Sequence, residues 1–209
     1  MNIPFSQACE RNKDPILEVI RPFLKDAKSV LEVGSGTGQH GLYFAQNLNS
    51  LSWQTSDQIQ YLDGINAQIE NARQNSLELT NLLSPFALDV TQPQWLPNKL
   101  AHLKYDAVYS ANTFHIMAWA QVQAFFEGLP QVVSKGSYLI VYGPFKYKGQ
   151  FTSDSNESFD QDLRSRGVGS AIRDFEEVDQ LAKMVGFNLV KDIAMPANNQ
   201  CLVWQCDTV

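Results

Sequence analysis

Hydrophobic residues along the chain form short apolar runs typical of buried strands and longer segments with the periodicity of amphipathic helices. Seven runs predict strands at Ser29–Val33, Leu51–Ser56, Pro85–Leu88, Tyr105–Ser110, Tyr138–Tyr142, Asn188–Ala194 and Cys201–Gln205. Five segments predict helices at Pro15–Lys25, Gln39–Asn47, Tyr61–Asn75, Ala118–Val133 and Phe175–Val185. Because strands and helices alternate, we expect an α/β fold with a mostly parallel sheet and helices on both faces.

The last two predicted strands break this alternation, because only residues 195–200 lie between them. Pro196 and the pair Asn198-Asn199 supply turn residues there. We therefore expect an antiparallel C-terminal hairpin that closes a sheet of about seven strands.

Two segments lie outside this regular pattern. Residues 1–27 form an N-terminal helical segment, in which Asp14 is the expected N-cap and Pro15 the first helical residue. Residues 143–174 follow the fifth predicted strand and exceed the usual loop length, and only Glu157–Arg166 among them has a helical pattern. Ligands of open α/β sheets bind at the carboxyl ends of the strands, so we expect this segment to be a lid or substrate loop.

The segment 30–38, V-L-E-V-G-S-G-T-G, joins the first predicted strand to a predicted helix. Glycines at 34, 36 and 38 permit positive φ angles and a close approach of the backbone to a ligand. With Glu32 two residues before the first glycine, the pattern E-x-G-x-G-x-G resembles that of class I methyltransferases. This resemblance implies S-adenosylmethionine (SAM) as cofactor and the Rossmann-like three-layer sandwich of that class.

Dinucleotide-binding proteins have the spacing G-x-G-x-x-G instead. The chain contains a shifted match to it at Gly36, Gly38 and Gly41, but this match starts two residues too late after the strand. The glycine spacing therefore favours a methyltransferase over a nicotinamide-dependent oxidoreductase. A glycine-rich turn without a ligand is the remaining alternative.

Two aspartates follow neighbouring predicted strands. Asp57 lies about 20 residues after the glycine loop, where a carboxylate can accept hydrogen bonds from both ribose hydroxyls of a cofactor. Asp89 is placed to accept from the adenine amino group, with Val90 against the adenine ring. The alternatives are a solvated turn aspartate at 57 and an aspartate that caps the next turn at 89.

Asn112 and His115 follow the fourth predicted strand, where class I methyltransferases bring the methyl donor and the acceptor together. His115 is a candidate general base, because an unperturbed histidine titrates near neutral pH; the alternative is a histidine packed beneath the loop. The catalytic candidates are therefore His115 and Asn112. The candidate cofactor contacts are Glu32, Gly34, Ser35, Gly36, Gly38, Gln39, His40, Asp57, Asp89, Val90 and Asn112.

The candidate substrate contacts combine aromatic residues with part of the N-terminal segment. They are Arg11, Asn12, Tyr142, Phe145 and Phe151. Aromatic faces attract a sulfonium cation and bury apolar substrates. The alternative for most of the aromatic residues is ordinary core packing.

Composition limits the classes of partner and compartment. The 209 residues, 44% apolar, are most simply a single domain spanning 1–209, and no apolar run approaches the roughly 20 residues of a membrane span. Net charge is −6 and the basic residues are scattered, which argues against nucleic acid. The cysteines and histidines lack metal-ligand spacing, so we expect no metal site. Without a signal-like N-terminus, the expected location is cytoplasmic; the sequence does not indicate the oligomeric state.

Over nearly its whole length, the chain resembles an uncharacterised family of class I methyltransferase-like proteins of bacteria and animals, a domain of unknown function. The segments that carry the resemblance are Arg11–Ile16, Leu31–His40, Trp53–Asp57, Asn112–Ile116, Tyr142–Phe145, Ser155-Asn156, Phe159-Asp160, Ile172–Asp174 and Met195–Asn199. The Gly-Gln-His run after the glycine loop and the Met-Pro-Ala-Asn-Asn turn are its most specific parts. The resemblance implies SAM binding and does not supply a substrate.

These observations predict SAM-dependent methyl transfer to a small-molecule acceptor. A protein that binds SAM or S-adenosylhomocysteine (SAH) without turnover, as a sensor or interaction module, is the alternative that the sequence leaves open.

Overall fold

A computed structural model describes residues 3–75 and 79–208 of the chain. Its ten strands are β1 (Ser29–Val33), β2 (Ser52–Asp57), β3 (Leu82–Ala87), β4 (Tyr105–Ala111), β5 (Val133–Gly143), β6 (Phe145–Tyr147), β7 (Gln150–Phe151), β8 (Arg173–Asp174), β9 (Phe187–Met195) and β10 (Asn199–Cys206). Its six α-helices are α1 (Gln7–Ile20), α2 (Gln39–Asn47), α3 (Leu62–Gln74), α4 (Trp119–Gly128), α5 (Asp154–Ser165) and α6 (Phe175–Met184). Short 3₁₀ helices lie at Ile59–Tyr61, Asn98–Leu100, Leu129–Gln131 and Pro196–Asn198.

Seven strands form the central sheet, in the order β3-β2-β1-β4-β5-β10-β9. The first five are parallel to their neighbours, and β10 is antiparallel to both β5 and β9. The predicted α/β fold with a mostly parallel sheet and an antiparallel C-terminal hairpin is therefore confirmed. Because β10 pairs with both β5 and β9, the hairpin is part of the main sheet, and its turn lies beside the carboxyl end of β5.

Two hydrophobic cores lie on opposite faces of this sheet, as the alternation of side chains along a strand requires. Along β4, Val108 belongs to the core that contains Phe125 of α4, while Tyr109 belongs to the core that contains Phe44 of α2. Helices α1, α2 and α3 cover one face, and α4 and α6 cover the other. The result is the predicted three-layer arrangement.

The N-terminal helix begins earlier than the predicted Pro15 start. Helix α1 begins at Gln7, because Ser6 is its N-cap and accepts a hydrogen bond from the amide of Cys9 (3.3 Å) through its hydroxyl. Pro15 lies inside this helix, and Asp14 accepts a hydrogen bond from the hydroxyl of Tyr43 in α2. The predicted N-cap at Asp14 is therefore wrong, since an earlier cap and the burial of the following apolar residues outweigh the cost of an internal proline.

Residues 143–174 contain more regular structure than their sequence indicates. Strands β7, β6 and β8 form a small second sheet in that order. Helix α5 begins at Asp154 rather than at Glu157, because the hydroxyl of Ser153 accepts a hydrogen bond from the amide of Asn156 (3.2 Å). The expected irregular loop is thus a folded insertion that crosses the carboxyl edge of the main sheet.

Arg173 ties this insertion to the loop after β4. Its guanidinium group is largely buried and donates to the backbone carbonyls of Phe114 (2.9 Å) and Met117 in that loop, and to the carbonyl of Gly169 (2.9 Å) within the insertion. The insertion is consequently held in place by hydrogen bonds to main-chain atoms rather than by a surface ion pair.

The other boundaries differ from prediction by a few residues, and the largest differences are at the start of β5 and at the end of α4. We expect a helix over Ala118–Val133 from the apolar pattern, but α4 ends at Gly128 and a 3₁₀ turn follows over Leu129–Gln131. Pro130 lies in that turn and cannot continue an α-helix, because it lacks an amide hydrogen and its ring clashes with the preceding turn.

Gly128 itself is required by packing, which makes a testable prediction. A Cβ atom added there would lie 2.0 Å from Cε2 of the buried Trp95. Alanine improves helix propensity by about 1 kcal/mol, but overpacking a core costs about 1–3 kcal/mol, and at this distance we expect overpacking to dominate. Gly128→Ala should therefore lower the urea midpoint of unfolding. The neighbouring Glu127→Ala, at an exposed position, is the control and should change it little; equal midpoints for the two variants would contradict the packing argument.

Candidate functional site

A cavity of about 1010 Å³ lies at the carboxyl ends of the parallel strands. Its wall is built from the start of α1, the glycine loop after β1, the ends of β2 and β4, the insertion and the β9–β10 turn. Of the candidate cofactor contacts, the wall includes Gly34, Ser35, Gly36, His40, Asp57, Val90 and Asn112. It does not include Glu32, Gly38, Gln39 or Asp89.

The glycine loop is held against the end of β2. The amides of Gly34 and Ser35 both donate to the carbonyl of Ser56 (3.0 Å each), and the amide of Gly36 donates to Oδ2 of Asp57 (2.6 Å). A Cβ at Gly34 would lie 2.4 Å from Cγ2 of Thr113, so this position needs glycine for close packing. A Cβ at Gly36 would meet nothing within 4 Å, so its backbone lies open to the cavity. Both residues also have positive φ angles, of 80° and 57°.

Asp57 is the carboxylate of the cavity wall. Besides the bond from Gly36, its Oδ1 accepts from the amide of Gln58 (2.7 Å). The side chain is largely buried, and this burial raises the pKa of the carboxyl, while the two amide hydrogen bonds act in the opposite direction. Each carboxylate oxygen has a further lone pair that a ligand hydroxyl can use. The ribose contact assigned to Asp57 from the sequence stays a prediction with suitable geometry.

Glu32 lies behind the loop and does not reach the cavity. Its Oε2 accepts a hydrogen bond from Nε1 of Trp53 (3.0 Å), and both side chains are buried. Burial raises the pKa of Glu32 to about 7, with a smaller contribution in the same direction from the charge of Asp57. The structure therefore makes Glu32 a link between β1 and β2 rather than a wall residue.

The Gln39-His40 pair holds the N-terminal helix. Oε1 of Gln39 accepts from the amide of Ser6 (2.5 Å), and Nε2 of His40 forms a hydrogen bond with Oδ1 of Asn12 (2.7 Å). Burial lowers the pKa of His40 to about 4, so its ring is neutral at physiological pH. The specific Gly-Gln-His run therefore fixes α1 over the cavity, and only His40 of the pair also lines the wall.

Gly38 and Asp89 also have local structural roles. Gly38 is the N-cap of α2 with a φ of 77°, and a Cβ there would lie 3.2 Å from Cγ2 of Ile65. Asp89 accepts hydrogen bonds from the amide (3.0 Å) and hydroxyl (2.8 Å) of Thr91, which lower the pKa of its carboxyl. Asp89 thus caps the next turn through Oδ1, and its neighbour Val90 lines the cavity; the contact of Asp89 with adenine stays a prediction.

Asn112 and His115 both line the cavity, as their position after β4 predicts. Asn112 has a φ of 57°, an unusual angle for a residue other than glycine. His115 is buried, and this burial lowers its pKa to about 4, with further lowering by the charges of Arg173 and Arg166. An imidazole with so low a pKa is a weak base, so the structure favours a hydrogen-bonding role for His115 over proton abstraction.

The five candidate substrate contacts are not brought together at the cavity wall. Arg11 is exposed and Asn12 is bonded to His40. Tyr142 and Phe145 are buried in the two cores, as the core-packing alternative expects, and Phe151 packs beneath the ammonium group of Lys146. None of the five is among the wall residues, and their contacts with a substrate stay a prediction.

Sequence reasoning missed several wall residues that come from α1, α5 and the hairpin turn. They include Ser6, Cys9, Asn156, Phe159, Val168 and Asn199. The spacing of Asn156 and Phe159 by one helical turn was the available signal, since residues three apart share a helix face. Part of 143–174 contributes to the wall, through Pro144, Asn156, Phe159 and Val168. That this segment closes over the cleft as a lid stays a prediction.

Within residues 3–75 and 79–208, no group of three or more His, Cys, Asp or Glu side chains could hold a metal ion. In the same ranges, none of the helices has the length and apolar content needed to cross a membrane.

A family model described as "Protein of unknown function (DUF938)" matches residues 3–206. Similar solved structures include an O-methyltransferase family protein from Burkholderia thailandensis, with a TM-score of 0.78 and 12% identity over 96% of this chain and 58% of that one. Human N-acetylserotonin methyltransferase in complex with SAM has a TM-score of 0.75 and 13% identity over 97% and 53%. PigF with SAH has a TM-score of 0.75 and 12% identity over 94% and 56%.

This chain therefore spans just over half the length of these proteins. At such low identity, the likeness establishes the fold that they share.

The buried Glu32 makes a testable prediction about pH. Its pKa is raised from 4.5 to about 7, so the folded state holds the proton more tightly and stability is lost as pH rises through this window. Glu32→Gln keeps an acceptor for Trp53 but cannot ionise. Relative to the wild type, it should gain roughly 2–3 kcal/mol of unfolding free energy between pH 5 and pH 8, as measured by urea denaturation. Parallel pH profiles of the two proteins would contradict the raised pKa.

Proposed function

The chain belongs to the DUF938 family, and we propose that it is a SAM-dependent methyltransferase acting on a small-molecule acceptor rather than on nucleic acid. The observation that carries this proposal is the cavity wall, in which the open backbone of Gly36 lies beside the carboxylate of Asp57. The SAM and SAH complexes of proteins with the same fold support this choice of cofactor.

The wall residues fit this cofactor. Gly36 leaves room for a ligand next to the main chain, Asp57 offers lone pairs to ribose hydroxyls, and Val90 offers an apolar surface to an adenine ring. When bound, SAM would supply a methyl group that is already activated as a sulfonium, so the protein need not activate the donor.

The contribution of the protein is then mainly positioning and exclusion of water, each of which lowers the barrier without covalent catalysis. Asn112 and His115 line the cavity at the end of β4 and offer polar groups that can orient the acceptor. Since His115 is neutral, it accepts a hydrogen bond from the acceptor and does not store its proton.

The insertion covers the reaction. Val168 lines the cavity yet is 64% exposed, and it lies between Gly167 and Gly169, which both have positive φ angles. Such a glycine-flanked apolar residue is suited to move against a bound ligand and to shield it from water. Residues 143–174 therefore act as the lid of the site.

The cofactor assignment is tested by ligand-dependent stability. SAH should raise the thermal midpoint of unfolding, because it binds the native state, while NAD and NADP should not. Equal shifts with NAD would overturn the glycine-spacing argument. Binding of SAH with no methyl transfer to any acceptor would instead support the alternative of a SAM- or SAH-binding protein without turnover.

A second prediction concerns Asp57. Asp57→Ala removes a charged acceptor for ribose hydroxyls, and hydrogen bonds to charged groups contribute about 1.5–3 kcal/mol each. We expect the affinity for SAH, measured by calorimetry, to fall at least about tenfold. Asp57→Asn is the matched variant, because it keeps one oxygen acceptor and should lose less. Unchanged affinity in both variants would show that Asp57 serves only the glycine loop.

A further inference from the structure

A second group of wall residues is formed by His115, after β4, and by Asn156 and Phe159 of α5. We propose that these three side chains form the binding site of the methyl acceptor, and that the acceptor is a small uncharged molecule with an aromatic or similarly apolar body and a hydroxyl or N–H group. This inference rests on the proposed function, because it assumes that the glycine loop and Asp57 hold the cofactor.

Asn156 presents a hydrogen-bond acceptor to the cavity. Its side chain is 5% exposed, and its Nδ2 donates to Oγ1 of Thr152 (2.9 Å) and to the backbone carbonyl of Asn198 (2.9 Å). A backbone carbonyl can only accept, so this contact determines which end of the amide is nitrogen. Both amide hydrogens are used, and no hydrogen bond to Oδ1 forms within the described parts of the chain. The polar atom left for a ligand is therefore Oδ1.

His115 and Phe159 extend this site. Their rings pack edge to face with centroids 5.4 Å apart, and Phe159 lies one turn after Asn156 on the same face of α5. The imidazole of His115 has no side-chain hydrogen bond within residues 3–75 and 79–208, and in its neutral form one ring nitrogen accepts. The site thus pairs two acceptor atoms with an aromatic surface, which suits a ring-bearing molecule with O–H or N–H donors.

The charge of the wall excludes ionic acceptors. Among the described wall residues, Asp57 is the one with an acidic side chain, and none is a lysine or an arginine. Arg173 and Arg166 act on His115 from outside the wall, so an anion such as a carboxylate or phosphate would lose its hydration without pairing directly with a cation in the wall, which is costly. A cation would find its counter-charge only at Asp57, which the cofactor occupies in the proposed function. An uncharged acceptor avoids both costs.

The inference is tested with three naphthalene probes added to protein saturated with SAH. The probes are 2-naphthol, 2-naphthoate and 2-naphthylmethylamine, which are neutral, anionic and cationic at neutral pH. Titrations followed by NMR should show the tightest binding for 2-naphthol. Asn156→Leu should weaken 2-naphthol at least about threefold, as expected for a lost hydrogen bond. Phe159→Ala should weaken it as well.

Two further variants distinguish a specific role of Asn156 in acceptor binding from a general loss of structure. Asn188→Leu makes the same change at an exposed position on β9 and should leave binding of every probe unaltered. Asn156→Asp places an anion in the wall and should shift the preference towards 2-naphthylmethylamine. SAH affinity, measured for each variant, should stay at the wild-type value.

The outcomes distinguish this inference from the proposed function. If SAH does not bind the wild type, the proposed function itself fails. If SAH binds but no probe does, or if charged probes bind the wild type more tightly, the acceptor inference is overturned while the cofactor assignment stands. The same conclusion follows if Asn156→Asp leaves the order of the probes unchanged.

Discussion

The site depends on the hydrogen bonds between the glycine loop and the end of β2. Parallel pairing sets Val33, the last residue of β1, opposite Ser56. The next two amides, of Gly34 and Ser35, therefore both reach the Ser56 carbonyl. The next amide, of Gly36, reaches Asp57. One strand register therefore determines both the shape of the loop and the position of the carboxylate, and the open side of Gly36 follows from it.

The same loop also controls the cover of the cavity. Gln39 and His40, the first residues of α2, follow it directly and bind Ser6 and Asn12, so the start of α1 is attached to the start of α2. On the other side, Arg173 attaches the insertion to the carbonyls of Phe114 and Met117 in the loop after β4. The two covering segments are thus held by polar contacts to the start of α2 and to the loop after β4, which both contribute residues to the wall. If a ligand moves either of these anchoring segments, the movement would be transmitted to the segment that covers the cavity.

The fold is predicted well from the sequence because buried strands and helix faces need apolar residues at regular spacings. This apolar pattern located all seven strands of the main sheet. The roles of polar residues were predicted less well, because a polar side chain near the loop has competing partners that periodicity does not reveal. Glu32 bonds Trp53, and Gln39 bonds the backbone of Ser6, so neither reaches the cavity. Asn156 joins the wall only through the packing of α5, a contact distant in sequence.

The two carboxylates near the loop show how the fold handles charge beside a cavity. Glu32 is removed from water and its pKa rises to about 7, so that much of its charge is suppressed near neutral pH. Asp57 stays at the wall, where two amide donors offset the cost of its partial burial. Two neighbouring full charges would repel each other, and the raised pKa of Glu32 reduces this repulsion.

Asp57 is the one acidic side chain among the described wall residues, so it would attract a cationic cofactor and no second acidic side chain in the described wall would draw that cofactor to another place. In the proposed reaction, the cationic cofactor meets an uncharged acceptor, so the positive charge is spread over both molecules in the transition state. Because a dispersed charge needs less solvation than a localised one, walls that exclude water and carry little charge favour the transfer.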